Sequence, residues 1–450
     1  MPLSLPTAFE SRMKSTLGYA WADFVSAHDQ PAPVSIRFNP NKDKLPVGIK
    51  IPWSNFGFYL STRPVFTLDP DLHAGKYYVQ EASSMFLEQA IKQTIDLNQS
   101  LRVLDLCAAP GGKSTHLLSL INENSLLISN EVIRSRAQIL SENIQKWGHS
   151  NTLVTNSDPE VFQKLRGYFD VIVADAPCSG EGLFRKDPQA AAEWSEENVA
   201  LCSQRQRRIL SDVWPSLKKN GILIYSTCTY NEQENEKNMN WLAENQGAEF
   251  IELKLETAWN IEKISLGKAI GYRFFPHKVT GEGFFISALR KIDSDPEVKI
   301  RSGRNFTEAS KKITAQLHSW SNHPENLKII NQQDLLIQIP AELYDEMNFI
   351  STQVHVVSKG TAVAEVKHEK LIPQHAKALA IDLNQTNFPA FDLSLDQALT
   401  YLRKDNLHVS EGERGFALVT YKGTPLGWIN HLGNRINNLY PASWRIRMGS

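Results

Sequence analysis

The stretch Arg102-Val-Leu-Asp-Leu-Cys-Ala-Ala-Pro-Gly-Gly-Lys113 decides the fold, because a short apolar run turns through two glycines into a segment with helical spacing. Apolar runs this short, bounded by turn residues, are typical of buried parallel strands. The other runs that predict strands cover 125–130, 170–174 and 221–227, and the helical segments between them cover 114–121, 133–147 and 196–218. Repeated strand–helix units predict an α/β fold, with a mostly parallel sheet covered by helices on both faces.

Composition and charge narrow the class of protein. The 450 residues leave room for several domains, and the hydrophobic fraction of 42% with a net charge of −1 is ordinary for a globular chain. No apolar run reaches the roughly 18 residues of a membrane span, and residues 1–6 do not resemble a signal peptide. The four cysteines lack C-x-x-C spacing, so we expect no disulfide framework, no metal site and a reducing cytoplasm.

Shifts in composition divide the chain into four parts. Residues 1–75 mix helical and strand signals with loop-forming prolines and predict a small α+β region. Residues 76–292 carry the alternating pattern of the core. The following residues, 293–385, begin with a polar linker and predict an intermediate α+β domain. Residues 386–450 contain two apolar runs around a Lys-Gly pair and predict a small β-rich domain with a hairpin.

Two helices carry signals of their own. Residues 9–28 place apolar side chains at helical spacing and predict one amphipathic helix. Asn231, with Glu234 three residues later, has the pattern of a capping box and predicts a helix that begins there.

The loop after the first strand has the composition of a ligand-binding turn. Gly111 and Gly112 let a ligand approach the backbone, and the helix N-terminus behind them offers N–H groups to a phosphate or carboxylate. A Walker loop would need glycine at Cys107, and no dinucleotide fingerprint is present. We therefore expect an adenosine-bearing cofactor. Glu131, at the end of the second strand, is placed to bind ribose hydroxyls, and the segment Asn156-Ser-Asp158 is a candidate for a polar group near the adenine.

Two cysteines follow the next two predicted strands: Cys178 in Asp175-Ala-Pro-Cys-Ser-Gly180 and Cys228 in Ser226-Thr-Cys-Thr-Tyr230. Because strands of an open parallel sheet end at one edge, both thiols are expected at one cleft. For either cysteine alone, packing as a small hydrophobic residue is the simpler interpretation. Together with the acidic and glycine-rich signals, the pair predicts thiolate chemistry. The residues alone do not decide which cysteine attacks.

These motifs resemble those of the RNA 5-methylcytosine methyltransferases of the Nol/Nop/Sun family. The segments that carry the resemblance are 35–39, 77–83, 105–113, 175–182, 226–230, 273–277 and 281–285. Near the end of the chain, residues 423–427 and 437–441 look like the C-terminal RNA-binding part of the bacterial RsmF type. The resemblance implies a Rossmann-like methyltransferase core, a small N-terminal α+β RNA-binding region and a C-terminal PUA-like β-rich RNA-binding domain.

The resemblance also implies S-adenosylmethionine as the methyl donor. The residues expected to hold its methionine part are Cys107, Ala108, Ala109, Pro110, Gly111, Gly112 and Lys113. Glu131 is expected to bind the ribose, Asp158 the adenine edge, and Asp175 to lie near the reacting groups.

By the same resemblance, Cys228 is the nucleophile that adds to carbon 6 of a cytosine, and Cys178 assists release of the product. DNA methyltransferases attack with a Pro-Cys cysteine instead, which would point to Cys178. Asp175 is expected to hydrogen-bond the cytosine. Lys113 is expected either to orient the base or to act as a structural partner of a backbone carbonyl.

The partner implied by the resemblance is RNA, 16S ribosomal RNA of the small subunit, bound by a monomer with no membrane association. The alternatives are the same reaction on transfer RNA, or a non-catalytic RNA-binding assembly factor; the intact cysteine motifs argue against the latter. Basic residues near the cleft or in the tail either contact RNA phosphates or form solvated faces. They are Arg185, Lys186, Arg205, Arg207, Arg208, Arg435, Arg445 and Arg447.

Overall fold

A computed structural model describes residues 5–42, 48–301, 303, 305–409 and 412–448. The first four residues, on which the expectation of no signal peptide partly depends, lie outside these ranges. Among the described residues, no helix is long and apolar enough to cross a bilayer.

The N-terminal region packs two helices and a small sheet. Its elements are α1 (Thr7–Leu17), α2 (Trp21–His28), β1 (Val34–Phe38), β2 (Gly57–Leu60), α3 (Pro70–His73) and β3 (Tyr77–Val79). The prediction of one helix over residues 9–28 is wrong, because Gly18 ends α1 with a φ of 54° and a short 3₁₀ turn precedes α2. Such a backbone conformation is open to glycine because it has no Cβ. The three strands form an antiparallel sheet with β1 in the middle.

The central part of the chain contains the alternating strands and helices. They are α4 (Leu87–Thr94), β4 (Arg102–Asp105), α5 (Gly112–Leu118), β5 (Leu126–Asn130), α6 (Arg134–Trp147), β6 (Thr152–Thr155), β7 (Phe169–Asp175), α7 (Pro188–Glu193), α8 (Glu196–Val213), β8 (Leu217–Thr227), α9 (Glu236–Gln246), β9 (Ala248–Phe250), β10 (Glu262–Leu266), β11 (Ala269–Phe274) and β12 (Phe284–Lys291). The helix predicted over 196–218 ends at Val213, since Pro215 cannot continue the hydrogen-bond ladder.

A second local prediction is also wrong. The helix predicted to begin at Asn231 begins instead at Glu236, with Asn235 at the N-cap position. Asn231 closes a turn by accepting a hydrogen bond from the backbone N–H of Gln233. The carboxylate of Glu234 points away from the Asn231 backbone and bonds the loop that follows β7, which removes it from the capping box.

The α/β fold predicted from the sequence is confirmed by the strand order. The five strands β8, β7, β4, β5 and β6 are neighbours in that order and run parallel. The chain leaves β4 toward β5 and β6, then crosses to the other side for β7 and β8. The sheet therefore has a topological switch point between β4 and β7, where clefts form at the carboxyl ends of strands. Antiparallel strands extend the sheet beyond β8.

Both faces of the central sheet are covered. Successive residues along one strand belong to different hydrophobic clusters: Val103 packs in one and Leu104 in the other. Likewise Val171 and Val173 face the first cluster, while Ile172 faces the second. This alternation explains why the strands are apolar throughout, since a sheet buried on both faces has no polar side.

A third unit, residues 306–378, packs on the second of these clusters. Its elements are β13 (Thr307–Glu308), α10 (Lys311–His318), β14 (Leu327–Gln332), β15 (Leu335–Pro340), α11 (Tyr344–Ile350), β16 (Val356–Lys359), β17 (Thr361–Lys367), β18 (Lys370–Pro373) and α12 (His375–Ala378). Phe306, Met347 and Ile350 share one apolar core with the central strands. The five strands β13, β14, β15, β17 and β18 form a sheet of their own, whereas β16 pairs antiparallel with β6 of the central sheet. The third unit thus completes one edge of the central sheet.

The C-terminal region is a small β-rich unit. Its elements are β19 (Ala390–Asp392), α13 (Leu395–Arg403), β20 (Gly415–Tyr421), β21 (Thr424–His431) and β22 (Ile436–Asn438). The predicted hairpin is present as β20 and β21, joined at Lys422 and Gly423, both with positive φ. Trp428 and Tyr440 are buried in the apolar interior of this unit.

Candidate functional site

The carboxyl ends of the five parallel strands surround a cleft of about 800 Å³. Its lining includes seven residues that the sequence analysis selected, namely Cys107, Ala109, Glu131, Asp158, Asp175, Cys178 and Cys228. A smaller cavity of about 170 Å³ shares Cys107, Ala109 and Asp175 with the cleft, and Ala108, Pro110, Gly112 and Lys113 also line it. Of the residues expected to bind the cofactor or to take part in the reaction, Gly111 alone lines neither cavity. The structure therefore brings the selected residues together at one edge of the sheet.

The loop between β4 and α5 is shaped by Gly111, which has a φ of 117° at the N-cap of α5. Below it, Asp105 is fully buried and accepts a hydrogen bond from the Ser114 hydroxyl at 2.6 Å. Burial raises the pKa of Asp105 to about 7. Its second oxygen, Oδ1, has no hydrogen-bond partner among the described residues. An unpartnered buried acceptor beneath a helix N-terminus fits a ligand that carries a donor.

Sequence reasoning missed Arg37, which ties the N-terminal region to this loop. Its guanidinium donates to the Gly112 carbonyl at 3.2 Å and to the Thr115 hydroxyl at 2.6 Å. Arg37 is completely buried and lies over the ring of Trp147. Gln80, which lines the smaller cavity, accepts a hydrogen bond from the same side chain at 2.8 Å. The available signal was an arginine between the apolar residues Ile36 and Phe38 of a strand.

Glu131 follows β5 directly and is almost fully buried. Its Oε1 accepts the backbone N–H of Ile133 at 2.9 Å, and its Oε2 lies 3.3 Å from the Arg136 guanidinium. Val132 and Ile133, both about half exposed, form an apolar wall of the cleft beside it. A carboxylate beside an apolar wall is the arrangement that suits a ribose and its flat base.

Asp158 lies at the opposite end of that wall and is half exposed. Its carboxylate is 3.0 Å from the Arg208 guanidinium, which reaches across from α8. The loop that carries Asp158 is held by the third unit: the Asn156 N–H donates to the His355 carbonyl at 2.9 Å, and the His355 N–H to the Ser157 hydroxyl at 3.0 Å. The third unit thereby supports one wall of the cleft.

Asp175 ends β7 between the two cavities. Its Oδ2 lies 2.7 Å from the Lys113 ammonium, and its Oδ1 accepts a hydrogen bond from the Ser226 hydroxyl at 2.7 Å. The partner of Lys113 is therefore a carboxylate and not the backbone carbonyl that the sequence analysis considered. This network fixes the direction of the Asp175 carboxylate.

The two thiols are in contact. The sulfur of Cys178 lies 3.0 Å from that of Cys228, at the ends of β7 and β8. Hydrogen bonding to Cys228 and burial raise the pKa of Cys178 well above the usual value of a thiol. Cys178 is therefore a neutral thiol at neutral pH, able to donate a hydrogen bond to the sulfur of Cys228.

Basic side chains are unevenly distributed around the cleft. Arg205 and Arg208 line it directly. Arg185 lies 3.0 Å from Glu282, and Arg207 donates to Asn238 at 2.7 Å, so these two serve internal contacts. In the described ranges, no group of three or more His, Cys, Asp or Glu side chains is arranged to hold a metal ion.

Comparison with known families gives three matches along the chain. They are the N-terminal domain of 16S rRNA methyltransferase RsmF over residues 5–82, 16S rRNA methyltransferase RsmB/F over 92–290, and the methyltransferase RsmF PUA domain over 388–446. Two ribosomal RNA small subunit methyltransferases F, from Salmonella agona (strain SL483) and Salmonella typhi, are each 32% identical to this chain. Both alignments cover 98% of the chain and 95% of the relative.

Solved structures share the central fold. A methyltransferase homolog protein from Pyrococcus horikoshii is 27% identical with a TM-score of 0.55, covering 64% of this chain and 96% of that one. NSun6 from Pyrococcus horikoshii, solved with SFG, has a TM-score of 0.54 at 19% identity, covering 65% of this chain and all of that one. At 19% identity, the similarity to NSun6 indicates a shared fold only.

Replacing Asp105 by asparagine is expected to change how stability depends on pH. In the folded chain the pKa of Asp105 is about 7, against about 3.9 when unfolded, so the folded state binds more protons between these values. Wild-type stability should therefore fall as pH rises from about 4 to about 7, by up to about 4 kcal/mol from this group. In Asp105→Asn this contribution to the pH dependence of the unfolding free energy should vanish. Urea unfolding at several pH values measures it.

The exposed turn residue Asp334 provides the matched control, since Asp334→Asn should leave the wild-type slope intact. If the unfolding free energies of wild type and Asp105→Asn changed with pH in the same way, the raised pKa of Asp105 would be contradicted.

Proposed function

Since the chain belongs to the RsmF type of 16S rRNA methyltransferases, we propose that it methylates carbon 5 of a cytosine in 16S rRNA with S-adenosylmethionine. The reaction passes through a covalent bond between that cytosine and Cys228. The observation that carries the proposal is the contact of two thiols, 3.0 Å apart, inside the cleft that also contains Glu131.

The cleft and the smaller cavity fit the two halves of this methyl donor. Glu131 binds the ribose hydroxyls and the apolar wall packs on the adenine, with Asp158 at its edge. The Cys107–Lys113 loop holds the methionine part at the junction of the two cavities, where Tyr78 and Ser84 complete the smaller one. The carboxylates of Glu131 and Asp175 favour the positive charge of a sulfonium. When bound, S-adenosylmethionine supplies a methyl group on a positively charged sulfur.

Carbon 5 of cytosine needs activation because it is a weak nucleophile. Cys228, after losing its proton to water, adds its sulfur to carbon 6 and forms a C–S bond. The electron pair of the C5–C6 double bond then becomes available at carbon 5, which takes the methyl group while the donor sulfur leaves as a neutral thioether. The Lys113–Asp175 pair faces the base: Asp175 accepts from its amino group, and Lys113 stabilises the negative charge that develops on the ring.

Release reverses the addition. The proton on carbon 5 passes to a water molecule in the open cleft, the double bond re-forms, and the C6–S bond breaks. Negative charge then returns to the sulfur of Cys228. The neutral thiol of Cys178 donates a hydrogen bond to that sulfur as the charge appears, which favours its departure.

The target base has to leave its stack to reach Cys228. Arg205 and Arg208, at the rim of the cleft, are placed to bind the phosphates that flank it. The N-terminal region and the C-terminal PUA-type unit hold more distant parts of the RNA, and phosphate contacts of this kind make affinity salt-dependent.

The substrate is tested by bisulfite sequencing of RNA from a strain that lacks the gene. One cytosine of 16S rRNA is expected to lose its protection from bisulfite, and the wild-type gene should restore it, whereas a gene encoding Cys228→Ala should not. Loss of a protected cytosine in transfer RNA would overturn the ribosomal assignment, and no lost cytosine at all would overturn the reaction.

Glu131→Ala is expected to weaken S-adenosylmethionine binding by about 1–3 kcal/mol, because a buried charged acceptor is lost. Isothermal calorimetry measures it. Glu142→Ala, on the helix α6 that follows Glu131 but outside both cavities, should bind as the wild type does. If Glu131→Ala and Glu142→Ala bound S-adenosylmethionine with equal affinity, Glu131 would not be part of the cofactor site.

The two cysteines are expected to give opposite phenotypes. Cys228→Ala has no attacking sulfur, so neither methylation nor an RNA adduct should form. Cys178→Ala still attacks and transfers the methyl group but releases slowly, so an adduct that survives denaturing electrophoresis should accumulate. Cys202→Ala, a buried cysteine of α8, is the control and should behave as wild type. An adduct in Cys228→Ala and none in Cys178→Ala would reverse the two roles.

A further inference from the structure

We propose that Glu234 is a positioning residue that bridges the two cysteine loops and keeps Cys178 against Cys228. The inference deepens the function proposed above and rests on it for its kinetic readout. A second measurement, on the protein without RNA, tests the geometry alone.

The first half of the bridge runs from Glu234 to the loop after β7. Its carboxylate is completely buried. One oxygen accepts the backbone N–H of Ser179 at 2.8 Å, and the other accepts the Ser179 hydroxyl at 2.5 Å. Ser179 directly follows Cys178, so both bonds act on the peptide unit beside the first thiol.

The second half reaches the loop after β8. The Ser179 hydroxyl lies 3.0 Å from the hydroxyl of Thr229, which directly follows Cys228. The Tyr225 hydroxyl, on β8 itself, donates to the Glu234 carbonyl at 2.7 Å. Glu234 is thus connected through Ser179 to the residues on the C-terminal side of both cysteines, in addition to the direct backbone hydrogen bond from the Gly182 N–H to the Cys228 carbonyl at 2.9 Å.

Gln206 of helix α8 also contacts the Glu234 carboxylate and the loop that contains Cys178. The Gln206 amide donates to the Glu234 carboxylate at 3.1 Å and to the Pro177 carbonyl at 2.9 Å. Pro177 precedes Cys178, so Cys178 is held on both sides of its backbone by groups that converge on Glu234. Together with the backbone hydrogen bonds between the two loops, these contacts hold the two thiols 3.0 Å apart.

Burying the Glu234 carboxylate is energetically unfavourable, which indicates a role beyond packing. Burial raises the pKa of Glu234 to about 6, and among the described residues no lysine or arginine forms an ion pair with it. A buried carboxylate with only neutral donors is unfavourable relative to a hydrophobic side chain. Glu236, two residues later, is equally buried but lies 2.6 Å from Arg273 and hydrogen-bonds neither cysteine loop.

The first test compares Glu234→Ala, Glu234→Gln and Glu236→Ala in the RNA reaction. Glu234→Ala removes the bridge, so release should slow by about tenfold or more and an RNA adduct should accumulate although Cys178 is intact. Glu234→Gln keeps the volume, an acceptor for Ser179 N–H and Gln206, and a donor to the Ser179 hydroxyl, so release should be largely restored. Glu236→Ala should lower stability without an adduct.

The second test uses phenylarsine oxide on the protein without RNA. Two nearby thiols form two S–As bonds to the same arsenic atom, and a single water molecule is lost in total. The cyclic product is not reversed by an added monothiol. Wild type, Glu234→Gln and Glu236→Ala should be captured alike. Cys178→Ala and Cys228→Ala should not be captured, and Glu234→Ala should be captured at least about tenfold more slowly, since the thiols drift apart.

The outcomes separate the two proposals. If Cys178→Ala gives no adduct, the release step proposed above fails, while arsenical capture still decides the bridge. Normal capture in Glu234→Ala overturns the bridge, and so does a Gln variant as impaired as the Ala variant in either test. If Glu234→Ala does not fold, slow capture or an adduct in the folded Glu234→Gln variant overturns it instead.

Discussion

The structure depends on one constraint, the burial of a parallel sheet on both faces. Because β4 through β8 are covered by apolar clusters on each side, polar groups can occur only where the strands end. The switch point between β4 and β7 opens the sheet there. The site residues at or just after the ends of the five strands consequently meet in one cleft.

The cleft is not made by the central unit alone. Arg37 of the N-terminal sheet holds the Gly112 carbonyl, and the backbone of His355, from the third unit, holds the loop before Asp158. Each of these contacts crosses from a neighbouring unit to a loop that faces the cleft. The Gly112 side and the Asp158 side of the cleft are thus supported by different parts of the chain.

The pKa of Cys178 follows from its position beside Cys228 at the end of the sheet. Cys178 is partly buried, contacts Cys228 and lies near the Glu234 carboxylate, and all three factors raise its pKa. A cysteine in this setting is a hydrogen-bond donor, whereas a nucleophile requires the thiolate. The environment of Cys178 therefore fits the donor role proposed for it, whereas the sequence motifs alone leave the two roles open.

The sequence by itself determined the α/β order and the membership of the site, because strand patterns and loop motifs are local: Glu131 and Asp175 could be selected from the runs that precede them. Tertiary structure decided what depends on residues far apart in the chain. Ser179 and Glu234 are 55 positions apart, and Glu234 fitted a capping box equally well by spacing. The partners of Arg37, the pairing of β16 with β6 and the 3.0 Å approach of the thiols were likewise invisible, since periodicity records which side of a segment is buried but not which distant group covers it.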